Sequence, residues 1–335
     1  MNIAVLGLGF MGSTHLKAIR NVSSAHLGAV VSSDRKKLEG DLSGIQGNLG
    51  GPGEKLDFGA AARYTTIEEA LADPAIEAVD ICLPTNLHAP VTLAALRAGK
   101  HVLVEKPMAL TVAEAEAMLA EAEKQKRVLM VAQVLRFFPD YVAAGHAAPA
   151  LGTPRSALFR RRCAAPFWSD WLSDRSRSGG GVFDLLIHDV DFCLYLFGAP
   201  KAVRATGYEN LAAGVDVIHA EFEYEGFSAI VSGGWHHPKA YPFSMEFTLV
   251  YDGGALEYGS EGRPLALYDA KGESRHLELP IRDGFEAEIE YFLDCARAGR
   301  QPEICPPAGS AAAMRAALAM VESRAKNGER VSCSR

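Results

Sequence analysis

The sequence predicts an α/β chain of two domains. The first carries a doubly wound parallel sheet, and the second is an α+β domain on a mostly antiparallel sheet. Three observations carry this. At 335 residues the chain exceeds one ordinary domain. Up to residue 132, short apolar segments alternate with helical ones, the pattern of a parallel sheet covered on both faces. Beyond that point, strand-like segments follow one another with turn signals between them. The predicted domains are therefore 1–132 and 133–335.

In order, "NIAVLGLG" is a buried strand ending in glycines, "THLKAIRNV" has helical spacing, and "HLGAVVSS" is a second strand. Residues 40–59 are glycine-rich and read as a loop. "TIEEALAD" begins at Thr66 with Glu69 three residues on, an N-cap signature. "AVDICLP" is a third strand, and "APVTLAALRAG" is a helix stopped by Gly99. "HVLVEKP" is a fourth strand, Thr111 caps the amphipathic "TVAEAEAMLAEAEKQ", and "VLMVAQV" is a fifth strand. In the second domain, "SALFRRRCA", "AVRATGYEN", "DVIHAEFEYE", "FSAIVSGGWHH", "SMEFTLVYD", "GALEYGS" and "PLALYDA" read as strands. Helices are expected near 139–147, 181–197 and 284–298. A final Ala-rich helix near 307–327 is placed to fold back on the first domain.

Composition excludes several classes. A formal net charge of -7 argues against nucleic acid as a partner, because phosphate binding needs a basic surface. No apolar run is long enough for a membrane span. The first residues enter a strand directly, without the basic start and cleavage site of a signal peptide. The six cysteines are scattered with no CxxC pair and read as reduced thiols of a cytoplasmic protein. The histidines show neither HExxH nor HxxEH, so no metal site is expected.

"GLGFMG", residues 7–12, ends the first strand and opens the first helix, the context that gives a GxGxxG pattern meaning. Gly7 permits the tight turn, Gly9 lets backbone approach a pyrophosphate, and Gly12 allows close helix–strand packing. The helix N-terminus, with Phe10 and Met11 in its first turn, offers N–H groups and a positive dipole end to phosphate. The expected cofactor is therefore NAD or NADP. An NAD site usually has an acid after the second strand, where this chain has Ser32. Ser32 and Ser33, with Arg35 or Lys36, suit a 2′-phosphate and tilt the reading toward NADP. Asp34 is the alternative ribose acceptor.

In a doubly wound sheet, ligands bind beyond the carboxyl ends of the strands. The fourth strand ends there in Glu105 and Lys106, which are expected to line the cofactor, and Pro107 biases Lys106 away from helix. The third strand ends in Pro84, Thr85, Asn86 and His88, placed to line the nicotinamide side. Gln133 and Arg136 follow the fifth strand and are candidates for substrate contact or for a domain junction. In the second domain, the helix from Val182 to Phe197 is apolar nearly all round, yet Asp184, His188, Asp191 and Tyr195 form one polar stripe. Buried polar groups cost free energy unless paired or functional, and a histidine beside an acid suits proton transfer near neutral pH. Gly179, Gly180 and Gly181 precede that helix and would let backbone approach a ligand. Trp168 and Trp171 suit either stacking on a sugar face or ordinary packing, and Trp171 is kept as a substrate candidate.

With "GLGFMG", "CLPTNLHAP", "VEKP" and "GGGVFDLLIHDVDF" in this order, the chain resembles the glucose–fructose oxidoreductase/inositol dehydrogenase (Gfo/Idh/MocA) family over nearly its whole length. The resemblance implies an N-terminal Rossmann domain and a C-terminal domain with a large open sheet. It implies NAD(P)-dependent oxidation or reduction of sugars, cyclitols and related alcohols. It assigns Lys106, Asp184 and His188 as catalytic residues, and a homodimer or homotetramer paired through the second-domain sheet. The expected partner is a small polyol or sugar. Two other activities fit the same scaffold: glycoside hydrolysis by transient oxidation with a tightly held NAD, and non-catalytic sugar sensing. Lys106 and His188 together favour the dehydrogenase.

Overall fold

The structure is a computed structural model and describes residues 1–47, 53–166 and 168–333. Along the chain run β1 (Asn2–Leu6), α1 (Phe10–Asn21), β2 (His26–Val31), α2 (Arg35–Leu38), β3 (Ala62–Tyr64), α3 (Ile67–Ala72), β4 (Ala78–Ile81), α4 (His88–Arg97), β5 (His101–Glu105), α5 (Val112–Gln125) and β6 (Leu129–Ala132). Then come α6 (Pro139–Ala147), β7 (Pro154–Cys163), α7 (Arg175–Ser178), a π-helical turn (Val182–Leu186) and α8 (Ile187–Phe197). The strands β8 (Ala202–Asn210), β9 (Val215–Glu223), β10 (Ser228–Trp235), β11 (Ser244–Tyr251), β12 (Gly254–Gly259), β13 (Arg263–Asp269) and β14 (Ser274–His276) follow. The chain closes with α9 (Gly284–Ala298), α10 (Pro307–Ala325) and β15 (Val331–Ser332).

Two compact units result, Met1–Phe137 with Arg282–Ala311, and Phe138–Ile281 with the residues from Ala312 on. The first unit holds a parallel sheet of order β3-β2-β1-β4-β5-β6. This is the dinucleotide-binding order, with its switch point between β1 and β4. β4 is buried along its whole length and β1 beyond its first residue, as the continuous apolar runs require, and even the edge strand β6 is buried throughout. Thr66 and Thr111 both form the reciprocal capping box expected of them. The three-residue β3 was not anticipated, since "ARY" is too short to show a period. Of the loop expected at 40–59, residues 48–52 lie outside the described residues.

One expectation about domain limits is corrected. Helix α9 belongs with the first unit, because Ile289, Phe292, Leu293 and Ala296 share one core with Leu16 and Ile19 of α1. The start of α10 also clusters with the first unit and the remainder with the second.

The second unit holds a sheet of order β14-β13-β12-β11-β7-β10-β9-β8-β15. All neighbours are antiparallel except β7 and β10. The three arginines of β7 alternate as a strand must: Arg161 faces inward to Asp189, while Arg160 and Arg162 both reach Glu246. Cys163, Cys193, Cys295 and Cys305 are buried, and all six cysteines are free thiols. Among the described residues no helix is long and apolar enough to cross a membrane.

Candidate active site

On the first unit the glycine turn has the geometry its sequence implied. Gly7 has φ +100°, and a Cβ there would lie 2.5 Å from the Cys82 carbonyl oxygen. A Cβ on Gly12 would sit 1.9 Å from the Gly7 oxygen, so only glycine fits. Gly9 differs: among the described residues a Cβ would meet no atom within 4 Å, so packing against them does not explain its missing side chain. Gly9 is the N-cap of α1, no side chain caps that helix, and no acid stands in its first turn. Phe10 and Met11 open the helix, both half-buried. The residues present therefore suit a pyrophosphate held on backbone amides.

After β2 the chain turns at once. The Asp34 N–H donates to Ser32 Oγ at 3.1 Å, and Asp34 caps α2 by accepting from the Lys36 N–H at 2.9 Å. Asp34 is thus committed to its own backbone. Ser33, Arg35 and Lys36 are exposed beside it.

Beyond β4, Pro84 precedes a short 3-10 turn over Thr85–Leu87. Thr85 is buried, and the amide oxygen of Asn86 is buried with no hydrogen-bond partner among the described residues. His88 behaves unlike a cofactor-facing residue. Its Nδ1 lies 2.7 Å from the Pro107 oxygen and its Nε2 2.8 Å from the Leu83 oxygen. It is buried and latches the β4 turn to the β5 turn. Burial holds its pKa below the usual histidine value. A neutral imidazole has one N–H and donates to one carbonyl at a time.

Glu105 and Lys106 end β5 where the sequence placed them. Glu105 is buried, Lys106 is half-buried, and the Lys106 N–H donates to Glu105 Oε2 at 3.0 Å. Behind them stands a cluster that sequence reasoning missed. His15 Nδ1 is 2.8 Å from Asp80 Oδ2, and His15 Nε2 is 3.2 Å from Glu105 Oε1. Cys82 Sγ lies 3.6 Å from His15 Nδ1 and 3.5 Å from Asp80 Oδ1. Burial disfavours a charged His15, but Asp80 and Cys82 outweigh it and hold the ring well above the usual histidine range. Burial likewise opposes the Glu105 carboxylate, yet the bond and charge of His15, with Lys106 and His88, hold it below its usual value. An acid in the otherwise apolar "AVDIC" was the available signal, since a buried carboxylate needs a partner.

His15, Asp80 and Cys82 place three possible metal-ligand atoms within 4.8 Å of one another. Burial and the neighbouring Asp80 push the Cys82 thiol far up, away from the thiolate a metal needs. The three groups already bond one another, so the cluster is a hydrogen-bond network.

Gln133 and Arg136 are both buried and tie the end of β6 to the first turn of α10 and to the segment before it. Gln133 Nε2 is 3.4 Å from Ser310 Oγ, and Arg136 Nη1 donates to the Ile304 oxygen at 2.7 Å.

On the second unit, Asp184 sits in the π-helical turn and His188 in the first turn of α8. Such turns recur at functional sites. Phe183, Leu185, Leu186 and Ile187 are buried, while Asp184 and His188 are half-buried, so the two share the helix's partly open side. Asp191 is buried and Tyr195 exposed. The glycine run does not serve as expected. Gly180 has φ +86°, and a Cβ on it would lie 2.7 Å from Asp216 Oδ2. The Gly181 N–H donates to that oxygen at 2.7 Å, and Arg324 of α10 holds the other Asp216 oxygen at 2.5 Å. Gly180 thus admits Asp216, which anchors the start of the Asp184 turn, and Gly179 admits the Phe183 ring. Trp171 packs beside Leu172, Leu185 and Trp235, which favours its packing role over stacking on a substrate.

Residues 1–133 match the model of an oxidoreductase family with an NAD-binding Rossmann fold, and residues 143–257 match the GFO/IDH/MocA C-terminal domain. The chain belongs to the Gfo/Idh/MocA family. It is 30% identical to inositol 2-dehydrogenase of Rhizobium meliloti (strain 1021), over 91% of each chain. It is 31% identical to a scyllo-inositol 2-dehydrogenase (NADP(+)) of Bacillus subtilis (strain 168), over 71% of this chain and 65% of that one. Its fold superposes on a levoglucosan dehydrogenase solved with NADH and levoglucosan at TM-score 0.84, with 20% identity and all of both chains covered. The chain is an NAD(P)-dependent oxidoreductase built as a Rossmann domain followed by a mostly antiparallel sheet domain.

Within this Gfo/Idh/MocA chain the glycine turn can be tested without unfolding it. Gly9 has φ -89°, which any residue adopts, and aspartate is a good N-cap. Gly9→Asp should therefore fold normally while placing a carboxylate against the pyrophosphate. Fluorescence titration is expected to show NAD(P) affinity reduced about tenfold or more. Unchanged affinity in the folded variant would remove the turn from the cofactor site.

Proposed function

We propose that the protein is a dehydrogenase or reductase of a sugar, cyclitol or related polyol, with Lys106, Asp184 and His188 as its catalytic residues. A bound nicotinamide dinucleotide supplies the hydride acceptor or donor. In the oxidative direction, His188 takes the proton of the reacting hydroxyl. Lys106 holds the same oxygen and stabilises the negative charge that develops there. Asp184 orients the imidazole or a neighbouring hydroxyl. The observation that carries this reading is the half-buried Asp184 and His188 on a helix whose surrounding residues are buried. The relatives' names, inositol and scyllo-inositol dehydrogenases, support the substrate class. A screen of sugars, inositols and sugar acids with both cofactors tests it. Absence of turnover with every polyol would overturn the substrate class.

Cofactor preference tilts to NADP(H). Ser32 stands where an NAD site has its acid, Asp34 is committed to α2, and Arg35 and Lys36 are exposed nearby. Ser32→Asp should shift the ratio of the two dissociation constants toward NAD by about tenfold. A wild-type protein binding NAD at least about tenfold more tightly than NADP would show the tilt to be wrong.

We also infer a homo-oligomer, dimer or tetramer, formed through the outer face of the second sheet. Leu158, Thr248, Val250 and Ile230 on that face are only partly covered. Light scattering at micromolar concentration should give a multiple of the chain mass, and a monomer mass would remove this inference.

A further inference from the structure

Three buried charged side chains from three different elements meet behind the Lys106 turn, and the proposed reaction uses none of them directly. His15 comes from α1, Asp80 from β4 and Glu105 from the end of β5. His15 and Asp80 are fully buried and Glu105 nearly so. Both ring nitrogens of His15 face a carboxylate oxygen, at 2.8 and 3.2 Å. The Nδ1 contact with Asp80 is a hydrogen bond, whereas Nε2 stands at ion-pair distance from Glu105 without hydrogen-bond alignment, and a carboxylate on either side of the ring favours its charged form. The second oxygen of Glu105 accepts the Lys106 N–H.

We propose that His15 is a positioning residue for the reaction: as an imidazolium bridging Asp80 and Glu105, it fixes the carboxylate that holds the Lys106 backbone, and so sets where the Lys106 amine stands. The relay also joins the two parts of the Rossmann domain that the reaction needs in register. His15 lies on the helix whose N-terminus suits the cofactor phosphates, and Glu105 precedes the residue that suits the substrate oxygen. The titratable groups facing His15 are Asp80 and Cys82 from the β4 side and Glu105 from β5, while the Phe285 ring of α9 packs at 5.9 Å. Lys106 and His88 act on Glu105 from its other side. His88 fixes the following residue as well, through the Pro107 oxygen.

This inference rests on Lys106 being catalytic, and its first test is chosen to stand apart from turnover. In protein labelled with ¹⁵N-histidine and carrying its cofactor, the signals lost in His15→Gln identify His15. They should show both nitrogens protonated at pH 7.5, with no titration near the ordinary value of 6.5. A single protonated nitrogen titrating there would overturn the imidazolium.

The second test is kinetic. His15→Gln should lower kcat by about tenfold or more while NAD(P) affinity stays within about threefold, because misplacing a catalytic group by about 1 Å costs roughly 10²-fold. The acid limb of its pH profile should move to higher pH, since Glu105 loses the charge that favours its ionised form. If His15→Gln fails to fold, Asp80→Asn is the substitute. It keeps an acceptor for Nδ1 but removes one charge, and should give a smaller loss of kcat with the same direction of pH shift. An unchanged kcat and pH profile in a folded variant of either residue would overturn the proposal. Normal turnover in Lys106→Met with an intact imidazolium signal would instead strike the assignment of Lys106 alone.

Discussion

Lys106→Met and His188→Asn are each expected to lower kcat by roughly 10²-fold or more, the scale for losing a group that handles the reacting proton or its charge. That loss corresponds to about 2.7 kcal/mol of transition-state stabilisation. Each residue is placed by its own unit. Lys106 follows a strand buried from Val102 to Glu105, at the carboxyl edge of the parallel sheet where such sheets bind ligands. His188 lies on the partly open side of α8, directly after the π-helical turn that carries Asp184. Neither residue belongs to the glycine turn, so cofactor affinity should stay within several-fold. His188→Asn should regain part of its activity at high pH, where hydroxide or an ionised substrate replaces the base. Lys106→Met should not, because a missing positive charge is not restored by removing protons. Steady-state kinetics on each variant reads these outcomes. Near-wild-type turnover in either would move the proton-handling role elsewhere, with Tyr195 and His236 the next residues to replace.

What could be read from the sequence was what short-range rules determine. The six-stranded sheet declares itself through apolar runs alternating with amphipathic helices, and five of its strands were legible. The sixth, β3, has only three residues and owes its place to pairing with β2. Seven strands of the second sheet, β7 to β13, were legible, while the short β14 and β15 were not, nor was the order. β7, first in sequence, lies between β11 and β10 and runs parallel to the latter, which only long-range packing decides. Polar side chains behaved in the same way. Asp184 and His188 stand out against an apolar helix, so pattern alone finds them. Asp80 stands out as an acid in an apolar strand, but His15 looks ordinary in its helix, and the meaning of both lies in a contact across 65 residues of chain. The glycines of 179–181 show the opposite error. A ligand-facing role was read into them, while in the fold Gly180 leaves room for Asp216, 36 residues on, and Gly179 for the Phe183 ring.

The largest stability effect is expected at another buried pair that pattern does not reveal. Arg161 of β7 grips Asp189 of α8 with two parallel bonds, Nε to Oδ2 at 2.7 Å and Nη2 to Oδ1 at 3.0 Å. Arg161 is 2% exposed and Asp189 is fully buried. Burial drives the Asp189 carboxyl upward against the pull of Arg161. Burial also opposes the guanidinium, but Asp189 outweighs it and raises the Arg161 pKa further. The geometry decides for an ionised pair, since a guanidinium does not release its proton and both carboxylate oxygens accept from it. Asp189→Ala would leave that guanidinium buried and unpaired. The variant should therefore lose about 3–5 kcal/mol, read by urea unfolding followed through second-unit tryptophans such as Trp235. Replacing both partners with apolar residues, Arg161→Met with Asp189→Leu, removes the unpaired charge and should recover most of that loss. Kinetics on the double variant then separates stability from placement, because Asp189 adjoins His188 and pins α8 to the sheet. A stable double variant with reduced kcat and unchanged cofactor affinity would show that the pair aims the helix. If the double variant is no more stable than Asp189→Ala, the loss comes from packing around Asp189 and not from an unpaired buried charge.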